Sequence, residues 1–197
     1  MIHASKPTRR AWTLIECLLA ISIVAVLLSL LFPALAGVRR GAERAVCLNN
    51  LRSFGQAIHA YMQTSRSLLP VAHDRPSVSD GRVSFFDAVG PFLDAATPAL
   101  TDGQVTALRP YVCPNDKEWA TYTGISYDYV PGSLLAHSGM TDEPAPELVA
   151  RVTAMYQDSP DLPLMRDAKP WHVEGRVSGQ NVLYFDGRAC PEQSTSP

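Results

Sequence analysis

The sequence has 197 residues, of which 46% are hydrophobic and 18% charged, so it can form one globular domain with an appendage and is not disordered as a whole. The formal net charge of −2 argues against a nucleic-acid-binding protein that works by neutralising phosphates. The four cysteines include no C-x-x-C pair, which excludes the usual zinc-ribbon and thioredoxin spacings.

An apolar run occupies residues 12–32, WTLIECLLAISIVAVLLSLLF, and contains a single charged residue, Glu16. As a helix this run would span about 30 Å, the thickness of the hydrocarbon core of a bilayer. We therefore predict a transmembrane helix at residues 12–36. Three basic residues precede the run and three follow it, so the count of positive charges does not set its orientation.

Three interpretations of this segment compete. A secretory signal would be cleaved after the A-L-A triplet at residues 34–36, but its apolar core is usually only about 7–15 residues long and avoids acids. An uncleaved anchor is consistent with the length of the run but gives Glu16 no role. Such a role is expected, because a carboxylate at membrane depth costs about 3 kcal/mol. A prepilin signal accounts for both the length and the acid.

The octapeptide RRAWTLIE at residues 9–16 resembles the prepilin motif of type IV pilins and type II secretion pseudopilins. The resemblance implies that a prepilin peptidase removes the leader, residues 1–11, by cutting between Ala11 and Trp12 on the cytoplasmic side, and then methylates Trp12. Ala11 and Trp12 stand where the family usually has Gly and Phe. The resemblance further implies that Glu16 pairs with the Trp12 amine of a neighbouring subunit during assembly.

The helix should continue beyond the membrane segment. Pro33 predicts a kink or a local interruption, although the same residue could also end the helix at the membrane surface. Over residues 37–63 the pattern becomes amphipathic, and spacings of four, three, four and three place one apolar stripe on a single face: Cys47, Leu51, Phe54, Ile58 and Tyr61. We expect a helix from about residue 12 to 62, interrupted near Pro33, whose apolar stripe packs on a sheet.

The globular part, residues 64–197, holds most of the 16 prolines, which favours short elements and loops. One short helix interrupted by Gly90-Pro91 is expected at residues 85–93. Strands are predicted at residues 126–130, 149–156 and 182–185. Strands so far apart indicate an α+β fold in which an antiparallel sheet lies against the amphipathic helix.

Later motifs extend the resemblance over nearly the whole chain. CLNNLR at residues 47–52, CPND at 113–116, YDY at 127–129 and DSP at 158–160 are similar to landmarks of the prepilin-type DUF1559 family, which has a terminal H-x9-DG motif. Here thirteen residues separate His172 from Asp186-Gly187. The resemblance implies a pilin-like fold, with a long N-terminal helix packed on a small antiparallel β-sheet.

Motifs of catalysis and metal binding are absent from the sequence. There is no G-x-S-x-G, H-E-x-x-H or glycine-rich phosphate loop, and the five histidines lack metal-ligand spacing, so we expect no enzyme activity, cofactor or metal. His172 and Asp186 could form a hydrogen-bonded pair that closes the last hairpin, or belong to a ligand site.

Acids and cysteines leave further alternatives open. The acids at positions 158, 161 and 167 could bind calcium, but their spacing matches no calcium loop and favours solvated side chains. In an exported domain Cys47, Cys113 and Cys190 would meet an oxidising compartment, and the sequence leaves their pairing undetermined.

These observations predict a pilin-like or pseudopilin-like subunit rather than an enzyme. It would be a single-pass protein of the bacterial inner membrane, with its N-terminus in the cytoplasm and its domain in the periplasm. Its partners would be the lipid bilayer, prepilin peptidase, other pilin-like subunits and the inner-membrane platform of a type II secretion or type IV pilus-type machine. The alternatives are an anchored binding protein that never polymerises and an exported enzyme released after residue 36.

Overall fold

A computed structural model describes residues 13–78, 85–135, 144–172 and 179–192. The chain divides into two compact units, residues 1–41 and 42–197. In the first unit the described residues belong almost entirely to the start of helix α1 (Leu14–Thr64). The apolar window of this helix is 0% buried, and the helix is long and apolar enough to cross a membrane.

Helix α1 runs through residue 33 without interruption. The local break expected there is therefore not observed, and Pro33 does not terminate the helix. A proline removes one backbone hydrogen bond and crowds the preceding turn, but the bonds of the flanking turns remain and can hold the helix together. A bend at Pro33 remains a prediction.

The second unit contains the rest of α1 and a set of short elements. In chain order these are α2 (Phe85–Val89), a 3-10 turn (Gly90–Phe92), β1 (Ala99–Thr101), β2 (Gln104–Thr106), α3 (Ala120–Thr123), β3 (Tyr127–Tyr129), α4 (Gly132–Leu135), α5 (Pro146–Asp158), β4 (Pro163–Asp167), β5 (Asn181–Tyr184) and β6 (Ala189–Pro191). Strands β1 and β2 form a hairpin, and β3-β4-β5-β6 form an antiparallel sheet in that order. The α+β layout is confirmed.

The apolar stripe of α1 packs against this four-stranded sheet. Cys47, Leu51, Phe54 and Ile58 are each 0% exposed, as the spacing predicts, whereas Tyr61 at the end of the stripe is only partly buried. Gly55 allows the close approach, because a Cβ atom at this position would lie 3.2 Å from Cδ1 of Leu183 on β5.

Two predicted strands are confirmed and one is wrong. The ends of strands β3 and β5 agree with the predicted segments 126–130 and 182–185 to within one residue. Residues 149–156, predicted as a strand, lie in helix α5. This helix begins with Pro146 in its first turn and buries Val149, Val152 and Tyr156 on one face. Their spacing of three and four is helical, and it outweighs the strand preference of the β-branched residues in this segment.

Candidate functional site

The start of helix α1 forms a capping box. The backbone N and Oγ1 of Thr13 both donate to Oε2 of Glu16 at 2.8 Å, and the backbone N of Glu16 donates to Thr13 Oγ1 at 3.3 Å. This reciprocal pattern satisfies backbone donors that the helix itself leaves without acceptors. The predicted cleavage site, between Ala11 and Trp12, lies outside the described residues.

The helix surface that follows Glu16 is apolar and open to its surroundings. The exposed fraction is 61% for Leu19, 62% for Leu27 and 69% for Leu30. The hydroxyl groups of Ser22 and Ser29 each donate a hydrogen bond to a backbone carbonyl of their own helix, so they add little polarity to its surface. Such a surface is stable in water only if something apolar covers it.

A second candidate site is a buried sulfur–imidazole cluster, which we define as Cys47, Cys113, Asn115, Asp167 and His172. A disulfide joins Cys47 on α1 to Cys113 in the segment before α3, and both residues are 0% exposed. The Nε2 atom of His172 lies 3.3 Å from Cys113 Sγ, and its Nδ1 lies 3.0 Å from Asn115 Nδ2. The structure thus decides the pairing that the sequence leaves open, and it leaves Cys17 and Cys190 as free thiols.

Asp167 borders the cluster at the end of β4. One carboxylate oxygen, Oδ2, accepts hydrogen bonds from the backbone N of Asn181 at 2.8 Å and from its Nδ2 at 2.9 Å, and lies 3.9 Å from His172 Nε2. The other oxygen, Oδ1, has no hydrogen-bond partner among the described residues. Burial raises the pKa of Asp167 to about 7, although the hydrogen bonds from Asn181 act to lower it.

Several motifs of the sequence meet beside this cluster. Nδ2 of Asn50, within the CLNNLR segment, donates to Tyr127 Oη at 3.0 Å and to the carbonyl of Val112 at 3.1 Å. Asp116, the last residue of CPND, accepts hydrogen bonds from the backbone amides of residues 118–120 and from the hydroxyl of Ser126. Segments far apart in the chain are therefore fixed around one buried polar centre.

The predicted pair of His172 and Asp186 is not formed. His172 is buried and its two ring nitrogens face Cys113 and Asn115, whereas Asp186 is exposed in the turn between β5 and β6. Asp186 closes this hairpin by another contact, because its Oδ1 accepts a hydrogen bond from the backbone N of Arg188 at 2.8 Å. Local turn chemistry satisfies the carboxylate without any histidine.

The three acids considered for calcium binding do not lie together. Asp158 is exposed, Asp161 is exposed and forms an ion pair with Arg188, and Asp167 is buried. Among the described residues these three acids do not form a group that could hold a cation. The expectation of solvated side chains is thus wrong for Asp167 alone.

Comparisons with protein-family models, with curated proteins and with solved structures found no significant match to this chain.

Proposed function

We propose that this chain is a structural subunit of the pilin or pseudopilin type, which joins a type II secretion or type IV pilus-type fibre through its N-terminal helix and performs no catalysis. The observation that carries the proposal is the single acid, Glu16, at the head of an exposed apolar helix that is long enough to cross a membrane. A carboxylate in the hydrocarbon core costs up to about 3 kcal/mol, the value at the centre of the bilayer, so an acid within the apolar segment is expected to have a function.

Assembly gives that acid a counter-charge. Removal of residues 1–11 between Ala11 and Trp12 creates a cationic amine at Trp12, and methylation to a secondary amine keeps the charge. The hydrogen bonds from Thr13 hold the Glu16 carboxylate against the N-terminus of its own helix, the end at which this amine would lie in each subunit. In a low-dielectric surrounding, the attraction between the carboxylate and the amine of a neighbouring copy is strong.

The remaining parts of the proposal follow from the resemblance to prepilins. Prepilin peptidase processes the chain on the cytoplasmic side, the helix stays in the inner membrane, and the α+β unit lies in the periplasm. The fold of that unit, a long helix on a small antiparallel sheet, supports a pilin-like fold.

The capping box favours a second candidate, an anchored extracytoplasmic binding protein that never polymerises. It gives Glu16 a partner within its own chain, so the acid would serve the helix rather than a neighbour. A fibre subunit therefore requires the charge of Glu16 for assembly, whereas an anchored binding protein requires only its hydrogen bonds to the start of the helix.

Three variants separate these roles. Glu16→Gln keeps a side chain that can complete a capping box but removes the charge, Glu16→Ala removes both, and Thr13→Val removes the hydroxyl of the cap. The assay is co-purification of two differently tagged copies from membranes, with N-terminal sequencing to locate the processed end. Ser22→Ala is the matched control, since Ser22 lies in the same apolar segment and bonds only to its own helix.

We expect processing at Trp12 in all variants. Both Glu16 variants should lose co-purification, because breaking a buried charge pair costs about 3–5 kcal/mol, more than about a hundredfold in association. Thr13→Val and Ser22→Ala should assemble as the unmodified chain does. Normal assembly of Glu16→Gln contradicts the role proposed for the charge of Glu16, and an N-terminus other than Trp12 contradicts the proposed processing. Failure of the unmodified chain to co-purify, with its N-terminal residues intact, supports the anchored alternative.

A further inference from the structure

The sulfur–imidazole cluster places three metal-ligand atoms together in the core. One atom each from Cys47, Cys113 and His172 lie within 4.8 Å of one another, and all three residues are buried. They come from separate parts of the chain: helix α1, the segment before α3, and the segment after β4. Sequence spacing therefore gives no sign of the group.

We propose that this cluster binds a Zn²⁺-class ion when its two sulfurs are reduced, through the thiolates of Cys47 and Cys113 and through Nε2 of His172. The disulfide and the metal-bound form exclude each other, because both use the same sulfur atoms. The inference concerns the core of the α+β unit and does not depend on polymerisation.

The dimensions of the cluster fit such a site. Tetrahedral zinc with Zn–S bonds of about 2.3 Å and Zn–N bonds of about 2.0 Å places its ligand atoms roughly 3.5–3.8 Å apart. Cys113 Sγ and His172 Nε2 are already 3.3 Å apart, and the Cα atoms of the two cysteines are 5.2 Å apart. Reduction lets the sulfurs separate by side-chain rotation, without a change in the helix or the sheet.

Asn115 can set the imidazole in the tautomer that a metal needs. In the disulfide form its Nδ2 donates to Nδ1 of His172, which leaves the ring proton on Nε2, facing Cys113. A half-turn of the amide places its oxygen at Nδ1, which favours a proton there and a lone pair on Nε2. Ligating histidines in proteins are held in this way by a hydrogen bond to the other nitrogen.

Asp167 borders the three ligand atoms and would supply a fourth ligand after a shift of its side chain, since its oxygens lie outside the group that is within 4.8 Å. Its Oδ2 lies 3.9 Å from His172 Nε2, its side chain is 0% exposed, and its Oδ1 has no hydrogen-bond partner among the described residues. A carboxylate oxygen is an accepted fourth ligand for zinc beside sulfur and nitrogen. The positive ion would also provide a charge partner for this buried acid.

Conversion to the metal-bound form takes two steps, reduction of the disulfide and binding of the ion. A phosphine reductant and one water convert the disulfide into two thiols and a phosphine oxide, a two-electron reduction of sulfur and oxidation of phosphorus. Binding of the divalent ion then displaces the two thiol protons into solution. A newly made chain carries thiols before any disulfide forms, so it can reach the metal-binding form without a reductant.

The test uses the full chain in detergent micelles, with Cys17→Ser and Cys190→Ser to leave only the two cysteines of the cluster. After reduction by a phosphine without oxygen, the protein is titrated with Co²⁺ as a spectroscopic substitute for Zn²⁺. We expect one equivalent to bind, with thiolate-to-cobalt charge-transfer absorption that Zn²⁺ abolishes. The oxidised protein should show no such absorption.

Two further variants locate the site. His172→Asn should weaken cobalt binding by at least about tenfold, while His73→Asn, which changes a histidine outside the cluster, should leave it unchanged. If reduction alone unfolds the unit, cobalt should restore its near-ultraviolet circular dichroism, since binding and folding are then coupled. The proposal is overturned if the reduced chain shows neither charge-transfer absorption nor refolding, or if His172→Asn binds as tightly as His73→Asn.

Discussion

The disulfide between Cys47 and Cys113 should contribute strongly to the stability of the α+β unit. It closes a loop between residues that are 66 positions apart, and it joins helix α1 to the segment before α3. In the chain-entropy treatment, a loop of that length stabilises the folded state by about 4 kcal/mol at 25 °C. This is a large fraction of the roughly 5–15 kcal/mol that is typical of a domain.

Reduction is the simplest perturbation, because it leaves both side chains in place. Free cysteines pack as small apolar groups, so the loss of stability reflects mainly the released loop. The assay is denaturant unfolding of the full chain in micelles with a metal chelator present, followed by near-ultraviolet circular dichroism with and without a phosphine reductant. We expect the free energy of unfolding to fall by about 4 kcal/mol on reduction.

The double variant Cys47→Ala, Cys113→Ala is the control, since it has no disulfide to reduce. Its unfolding should be independent of the reductant. If reduction of the unmodified chain lowers the free energy of unfolding by less than about 1 kcal/mol, or lowers that of the double variant equally, the loop-closure reasoning is refuted.

Three substitutions test other features of the core. Tyr111→Phe should raise the free energy of unfolding by up to about 1 kcal/mol in thermal denaturation, because the buried hydroxyl has no hydrogen-bond partner among the described residues. Burial raises the pKa of Asp128, although Arg166 acts to lower it, so the folded state favours the protonated acid. The protein therefore loses stability as the pH rises from the ordinary pKa of 3.8 through the raised pKa of the folded state. Asp128→Asn should therefore stabilise the protein at pH 7 and lose that advantage well below pH 3.8, as denaturation midpoints across this range will show. Gly132→Ala should cost at least about 2 kcal/mol in the same assay, because its Cβ would overlap the backbone of Asp74, and an unchanged midpoint would contradict that packing.

The sequence predicts those parts of the fold that depend on local periodicity. The stripe from Cys47 to Ile58 is buried as its helical spacing requires, and the strands near residues 127 and 182 have the expected β-branched and aromatic residues. Strand β4, Pro163–Asp167, was not predicted, because a proline, a methionine and two charged residues give it no strand-like composition. Its place in the sheet comes from pairing with β3 and β5.

The buried cluster lies beyond prediction from a single sequence for the same reason. Nothing local in the sequence indicates that His172 faces Cys113 rather than Asp186, since that contact depends on how the segment after β4 returns to the helix. The CPND segment carries a partial signal, because an aspartate in a loop typically accepts hydrogen bonds from nearby backbone amides further along the chain, as Asp116 does from those of residues 118 and 119. Such a signal predicts the turn but does not predict that Cys113 pairs with Cys47.

Helix α1 leads from the apolar segment into the α+β unit, and its first fully buried residue there, Cys47, is the one that carries the disulfide. Tension applied through the N-terminal end of the chain therefore meets a covalent crosslink at Cys47, the first residue of the packed stripe. The helix cannot be peeled from the sheet turn by turn from that end while the bond is intact. Mechanical strength, and not only equilibrium stability, then depends on the oxidation state of one pair of sulfur atoms.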